Sequence, residues 1–253
     1  MKSRRALPSF LLVTVVLLVV GVRVLRPKAQ TDAPEAPRPE LHSPYFVVGE
    51  GYGAYLFIRN NHVEKAITLD AVVSLSGGQR ISLDPITVAP GETQRLELGS
   101  LLASKGVAAS KALEGAATVS FPGQVDDEGF IKASVRVKNE RTGVSFAFNF
   151  EPLAPEYGSN QLAGVWWRQD SNTRLKLAIY NPGKESRAGQ ATLWVKNGGV
   201  SLGSFALPGQ SMITYDLSQA LAASGMEEAM EGGVSISHDG APSGLCHWRA
   251  GPR

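Results

Sequence analysis

The stretch "VAPGETQRLELGSLL", Val88–Leu102, returns in looser form as "ALPGQSMITYDLSQAL", Ala206–Leu221, with the shared Pro-Gly 118 residues further on. Each copy reads as a strand, a tight turn, a second strand and the start of a short helix. Pro90-Gly91 and Pro208-Gly209 mark the turns, since proline presets φ at the first corner and glycine accepts an unusual φ at the second. The phrase is a structural corner, and its recurrence implies that a whole domain recurs.

The match extends in both directions. "LFIRN" at Leu56–Asn60 pairs with "LAIYN" at Leu177–Asn181, and "SLSGG" at Ser74–Gly78 with "VKNGG" at Val195–Gly199. "EGAATVSFPG" at Glu114–Gly123 pairs with "EGGVSISHDG" at Glu231–Gly240, and "GFIKA" at Gly129–Ala133 with "GLCHW" at Gly244–Trp248. The offsets drift only from 121 to 115, as small loop changes in a duplicated domain would produce. Between the landmarks lie short alternating runs such as "ISLDPITV" and "GVSIS", rich in β-branched residues and bounded by Gly, Pro and Asn. Gly77-Gly78 and Gly198-Gly199 suit tight hairpins. Helices are expected at about Ser100–Leu113 and Ser218–Met230, stopping at Gly115 and Gly232.

The fold class expected is all-β: two tandem immunoglobulin-like or fibronectin-like β-sandwich domains with one short helix each, preceded by an N-terminal transmembrane helix. A small β-barrel is the alternative. The first domain is placed at 45–152, a linker at 153–159 and the second domain at 160–253. The first has an extra tail, "RTGVSFAFNF" at Arg141–Phe150, whose alternation reads as one more strand of undecided partner.

The L-x-I-x-N, G-G and P-G pattern, closed by "E-L" or "D-L", resembles tandem immunoglobulin-like repeats of bacterial envelope and secreted proteins. The resemblance covers about 45–253 and implies an architecture; no functional residue carries over. Periplasmic pilus chaperones are a lesser likeness, since their two domains are dissimilar and their sequence signature is not found here.

The N-terminus reads as an address. "MKSRRALPSFLLVTVVLLVVGVRVLRPK" has a basic start and 20 largely apolar residues from Ala6 to Leu25, long enough to span a bilayer. No small-x-small cleavage site follows, which favours a signal anchor at 1–27 over a cleaved signal. The n-region favours a cytoplasmic start, with the bulk extracytoplasmic. Pro34, Pro37, Pro39 and Pro44 suggest a semi-rigid stalk over 28–44.

Charge and cysteine narrow the functions. Residues 1–28 hold six basic groups and no acid, leaving 19 basic against 23 acidic groups, a net of −4. That balance speaks against nucleic acid as a partner. The single cysteine, Cys246, permits no intrachain disulfide. It adjoins His247, but strand neighbours face opposite ways, which counts against a thiol–imidazole dyad. His238 and His247 flank an expected hairpin, yet two histidines make a poor zinc site. Asp126, Asp127 and Glu128 fit a solvated turn better than a calcium loop. No catalytic residue, metal site or cofactor is therefore expected.

The tryptophans are more informative. All four lie in the second half: Trp166, Trp167, Trp194 and Trp248. Trp167, Trp194 and Trp248 are the candidate binding residues, able to stack on sugar rings or anchor a partner if exposed, and core residues otherwise. The expected function is a non-catalytic, membrane-anchored extracytoplasmic scaffold or protein-interaction module. A carbohydrate- or cell-wall-binding module is the alternative. The corresponding partners are an envelope protein or a cell-wall glycan, with the membrane reached through the N-terminal helix.

Overall fold

The computed structural model describes residues 38–108, 111–123, 130–152, 161–168, 173–239 and 246–252. The expected signal anchor, most of the stalk, the Asp126–Glu128 turn and the linker lie outside these residues. No helix among the described residues is long and apolar enough to cross a membrane.

The first half contains β1 (Glu40–Val48), β2 (Tyr52–Asn60), β3 (Ile67–Leu75), β4 (Arg80–Ser82), β5 (Ile86–Val88), β6 (Thr93–Glu97), α1 (Leu98–Ser104), β7 (Leu113–Ser120), β8 (Ile131–Asn139), β9 (Ser145–Asn149) and β10 (Glu151–Pro152). The second contains β11 (Gln161–Arg168), β12 (Thr173–Asn181), β13 (Arg187–Val195), β14 (Gly198–Leu207), β15 (Ser211–Asp216), α2 (Leu217–Ala223), β16 (Glu231–His238) and β17 (Cys246–Pro252). The chain is mainly β, in several sheets.

The two halves share one topology. The first has sheets β10-β1-β7-β3-β4, with β5 also on β3, and β6-β2-β8-β9. The second has β11-β16-β13-β14 and β15-β12-β17. Removing β9 and β10 from the first makes the strand orders correspond, with β4 and β5 together in the place of β14. In a constant-type immunoglobulin sandwich the first strand lies beside the second and the last beside the one before it. Here β1 pairs with β7, and β8 with β2, so the terminal strands have exchanged sheets.

The repeated phrase forms the corner expected of it. Gly91 takes φ 68° in a turn closed by the Glu92 amide donating to the Ala89 carbonyl at 3.1 Å. Leu98 and Leu102, and their counterparts Leu217 and Leu221, are one helical turn apart and fully buried. Asn60 and Asn181 close the second strand of each half and are also fully buried. Asn60 Nδ2 donates to the carbonyls of Lys65 (2.7 Å) and Val88 (3.1 Å), and its Oδ1 accepts from the His62 amide (2.9 Å). Asn181 does the same for Glu185, Leu207, Pro208 and Gly183. The conserved spacing of this asparagine is therefore loop tethering, in which one amide satisfies buried backbone groups from two segments.

Several expectations need correction. The helices are seven residues each, shorter than expected. They stop at Gly106 (φ 79°) and Gly225 (φ 67°), where glycine relieves left-handed backbone. Gly115 and Gly232 sit in strands instead, directly opposite Phe46 and Trp167. A Cβ on Gly115 would lie 2.5 Å from the Phe46 ring. One on Gly232 would lie 2.7 Å from the Trp167 ring. Gly198 and Gly199 open β14, and Lys196-Asn197 makes the tight turn. β1 starts at Glu40, so Glu40–Pro44 is strand and not stalk; Pro44 sits at the bulge between Ser43 and Phe46, where a missing N–H is tolerated. The tail adds to both sheets of the first half: β9 extends one sheet along β8, and β10 joins β1 in the other.

Candidate functional site

The three candidate tryptophans have different fates. Trp167 is fully buried, with its Nε1 donating to the Gly233 carbonyl at 3.2 Å, so it is a core residue and no binding platform. The side chain of Trp248 lies outside the described residues, as do those of Trp166, Cys246 and His247. Trp194 remains: it is 50% exposed on the outer face of the β11-β16-β13-β14 sheet.

Trp194 is held rather than loose. Its indole Nε1 donates to Ser235 Oγ at 2.7 Å. It stands in register with Gly233 on one side and Gly199 on the other. A Cβ on Gly199 would lie 3.0 Å from the indole ring, so the missing side chain lets the ring lie flat across the neighbouring strand. Trp166 occupies the register position beyond Gly233, in the same row.

On one side of Trp194 the face carries the exposed Arg168 and Glu231; on the other it is small and uncharged. Successive rows place Thr192 with Ser235 and Ser201, then Gln190 with Ser237 and Ser204. The last row opens into a shallow depression of about 500 Å³, lined by Gln190, Ser204, Ser237, His238 and Asp239 among others. Trp194 and Gln190 are four strand residues apart, about 13 Å. Burial, and secondarily the Arg187 cation, holds His238 below the ordinary histidine pKa, so it is neutral at pH 7. The face thus combines one aromatic plate with hydroxyl and amide groups, while His238, of opposite parity to Ser237, is buried.

A second polar cluster lies where the halves meet. β12 alternates between two cores. Leu175, Leu177 and Ile179 enter the second core, and Ala178 and Tyr180, with Met212, join the first. The Tyr180 hydroxyl is 2.8 Å from Thr118 Oγ1, which is 3.0 Å from His42 Nδ1. Lys176 pairs with Glu114, and Glu114 also accepts a hydrogen bond from the Tyr45 hydroxyl at 3.2 Å. Burial lowers the His42 pKa to about 4, and burial followed by the Glu114 charge raises that of Tyr45. His42, in the stretch the sequence assigns to the stalk, is instead 2% exposed inside this seam.

The arrangement of the seam is structural. His42 and Tyr180 are buried where the two halves meet. Among the described residues, no group of three His, Cys, Asp or Glu side chains converges as metal ligands would. No family model matches the chain, and no curated protein matches its sequence.

Proposed function

We propose that this chain is a non-catalytic extracytoplasmic scaffold, tethered to the membrane by its N-terminal segment, whose duplicated immunoglobulin-like sandwiches act as one binding body. The observation that carries the reading is the seam. Packing the β1-β7-β3 sheet face against β15-β12 buries Tyr180, Thr118, His42 and Glu114 and spends that face of each domain on joining the two. The faces left to solvent are the outer faces of β6-β2-β8-β9 and β11-β16-β13-β14. Such a body suits presentation of two surfaces at fixed spacing better than shaping a substrate cleft.

The membrane tether rests on the apolar run from Ala6 to Leu25 and its basic flanks. Cell fractionation combined with external protease tests it. The full chain is expected in the membrane fraction, released only by detergent, with the sandwich region cleaved from outside once any outer barrier is opened. Recovery in the soluble cytoplasmic fraction would contradict it.

A second reading, binding of a neutral glycan, is favoured by Trp194. Its half-exposed ring and the uncharged Ser, Thr and Gln rows beside it offer stacking plus hydroxyl-matched hydrogen bonds. Co-sedimentation of the full chain with insoluble neutral polysaccharide, lost in Trp194→Ala, would support this reading. Equal sedimentation of the variant would remove it.

A further inference from the structure

The outer face of the other free sheet, β6-β2-β8-β9, has a different chemistry. Cross-strand register sets Tyr55 and Phe57 at its centre on β2. Around them stand Arg95 from β6, Arg59 from β2, and Lys132, Arg136 and Lys138 from β8. The Arg95 guanidinium lies 4.1 Å from the Tyr55 ring centroid, and that of Arg136 lies 5.8 Å from the Phe57 centroid. Arg59 is steadied by Asn61 Oδ1 (2.7 Å) and Thr93 Oγ1 (3.1 Å). Among the described residues, the acids Glu97 and Glu140 beside the face are engaged: Glu97 accepts from Ser100 Oγ, and Glu140 pairs with Lys138. Arg59, Arg95, Lys132 and Arg136 have no carboxylate partner among the described residues.

This concentration is hidden in the overall balance, since the chain beyond residue 28 carries a net −4. Four unneutralised cations on one flat face, in an otherwise acidic body, make a local positive field that would recruit a polyanion. The close ring contact orients the Arg95 guanidinium, whose N–H fork suits bidentate binding of carboxylates, and Arg59 and Arg136 carry the same fork. Lys132 and Arg136 are four residues apart on β8, about 13 Å, and β6 and β8 flank β2 at about 5 Å on each side. That spread exceeds one small anion and fits an extended chain bearing repeated charges. The Tyr55 ring is already covered by the Arg95 guanidinium, which works against nucleobase stacking there of the kind single-stranded nucleic acid uses. Ser134 and Asn149, in register with Phe57, add hydroxyl and amide groups suited to sugar oxygens.

We propose that the β6-β2-β8-β9 face binds a carboxylate-bearing polysaccharide through Arg59, Arg95, Lys132 and Arg136. The choice of a glycan over other polyanions rests on the extracytoplasmic reading above, whereas the anion-binding surface stands without it. The face is separate from Trp194, so failure here leaves the neutral-glycan reading intact.

The test uses the full chain in non-ionic detergent with polygalacturonate as probe and neutral dextran as control, followed by calorimetry or affinity electrophoresis. Expected is binding to polygalacturonate alone, weakened as salt rises from 50 to 300 mM (concentrations of about these values), and reduced at least tenfold in Arg95→Glu/Arg136→Glu. Lys132→Glu, an exposed residue that stacks on no ring, guards against misfolding of the double variant and is expected to lower affinity about threefold or more. The proposal is overturned if the wild type does not bind at low salt, or if both variants bind as the wild type does. It is equally overturned if single-stranded oligonucleotide or phosphatidylglycerol vesicles bind more tightly than polygalacturonate through the same arginines.

Discussion

Replacing Asn181 by alanine should strike the fold where the two copies of the sequence agree most closely. Its amide donates to the carbonyls of Glu185 (2.8 Å), Leu207 (3.0 Å) and Pro208 (3.1 Å), and its Oδ1 accepts from the Gly183 amide at 3.2 Å. Two N–H donors serve the three carbonyls, so alanine removes the equivalent of two donor bonds and one acceptor bond. At about 1 kcal/mol net each the loss is about 3 kcal/mol, and more where a carbonyl stays buried and unpaired. For a body of this size that corresponds to a fall in Tm of about 6–12 °C. Urea unfolding followed by fluorescence measures it. Asn60→Ala removes the matching tether and should cost about as much. Both variants should keep any binding activity, since neither asparagine is exposed. A loss below about 0.5 kcal/mol at both positions would refute the tethering role, because such buried groups would then have found other partners.

Three further outcomes follow from packing and burial. The His42 pKa is lowered from 6.5 to about 4, so the unfolded chain binds the extra proton between those values; its contribution is whole above pH 6.5 and lost as pH falls toward 4. Stability should drop by about 2 kcal/mol between pH 7 and pH 5, and His42→Asn should flatten that slope in urea titrations, with His238 adding a smaller fall in the same direction. Gly232→Ala should cost about 2 kcal/mol or more, since its Cβ would meet the Trp194 carbonyl at 1.9 Å, whereas Gly77→Ala, with nothing within 4 Å, should stay within about 0.5 kcal/mol by the same assay. Trp167→Ala should cost about 3–5 kcal/mol and Trp194→Ala about 1 kcal/mol or less; near-equal losses would contradict their opposite burial.

The corner was legible because its chemistry is local. Pro90-Gly91 and the Leu98/Leu102 spacing each act within a few residues, so a repeat in sequence is a repeat in structure; the asparagines after L-x-I-x show in the repeat, although their tethers reach 26 to 28 residues along the chain. The seam was not. Thr118 looks like an ordinary polar strand residue, His42 falls in the stretch that reads as stalk, and Tyr180 is one aromatic among several; only their meeting, 62 and 76 residues apart in pairs, reveals a buried contact. Pro44 concealed the start of β1, because a proline in a bulge and a proline in a stalk read alike. Gly115 and Gly232 read in sequence as helix stops, whereas the pressure on them comes from aromatic rings on a partner strand. Trp167 and Trp194 show the same limit: alternation says that strand neighbours face apart, but not which of them meets the core. The basic face escaped notice because net charge averages over the chain, while a sheet gathers Arg95, Arg59 and Arg136 from three separated strands.

The scaffold reading depends on the two sandwiches behaving as one body through the Tyr180–Thr118–His42 seam. Scanning calorimetry of the full chain in detergent tests this most directly. One cooperative transition is predicted, with the calorimetric and van't Hoff enthalpies equal. Two separate transitions, each with the enthalpy of about 100 residues, would show independently folding domains and contradict a fused scaffold.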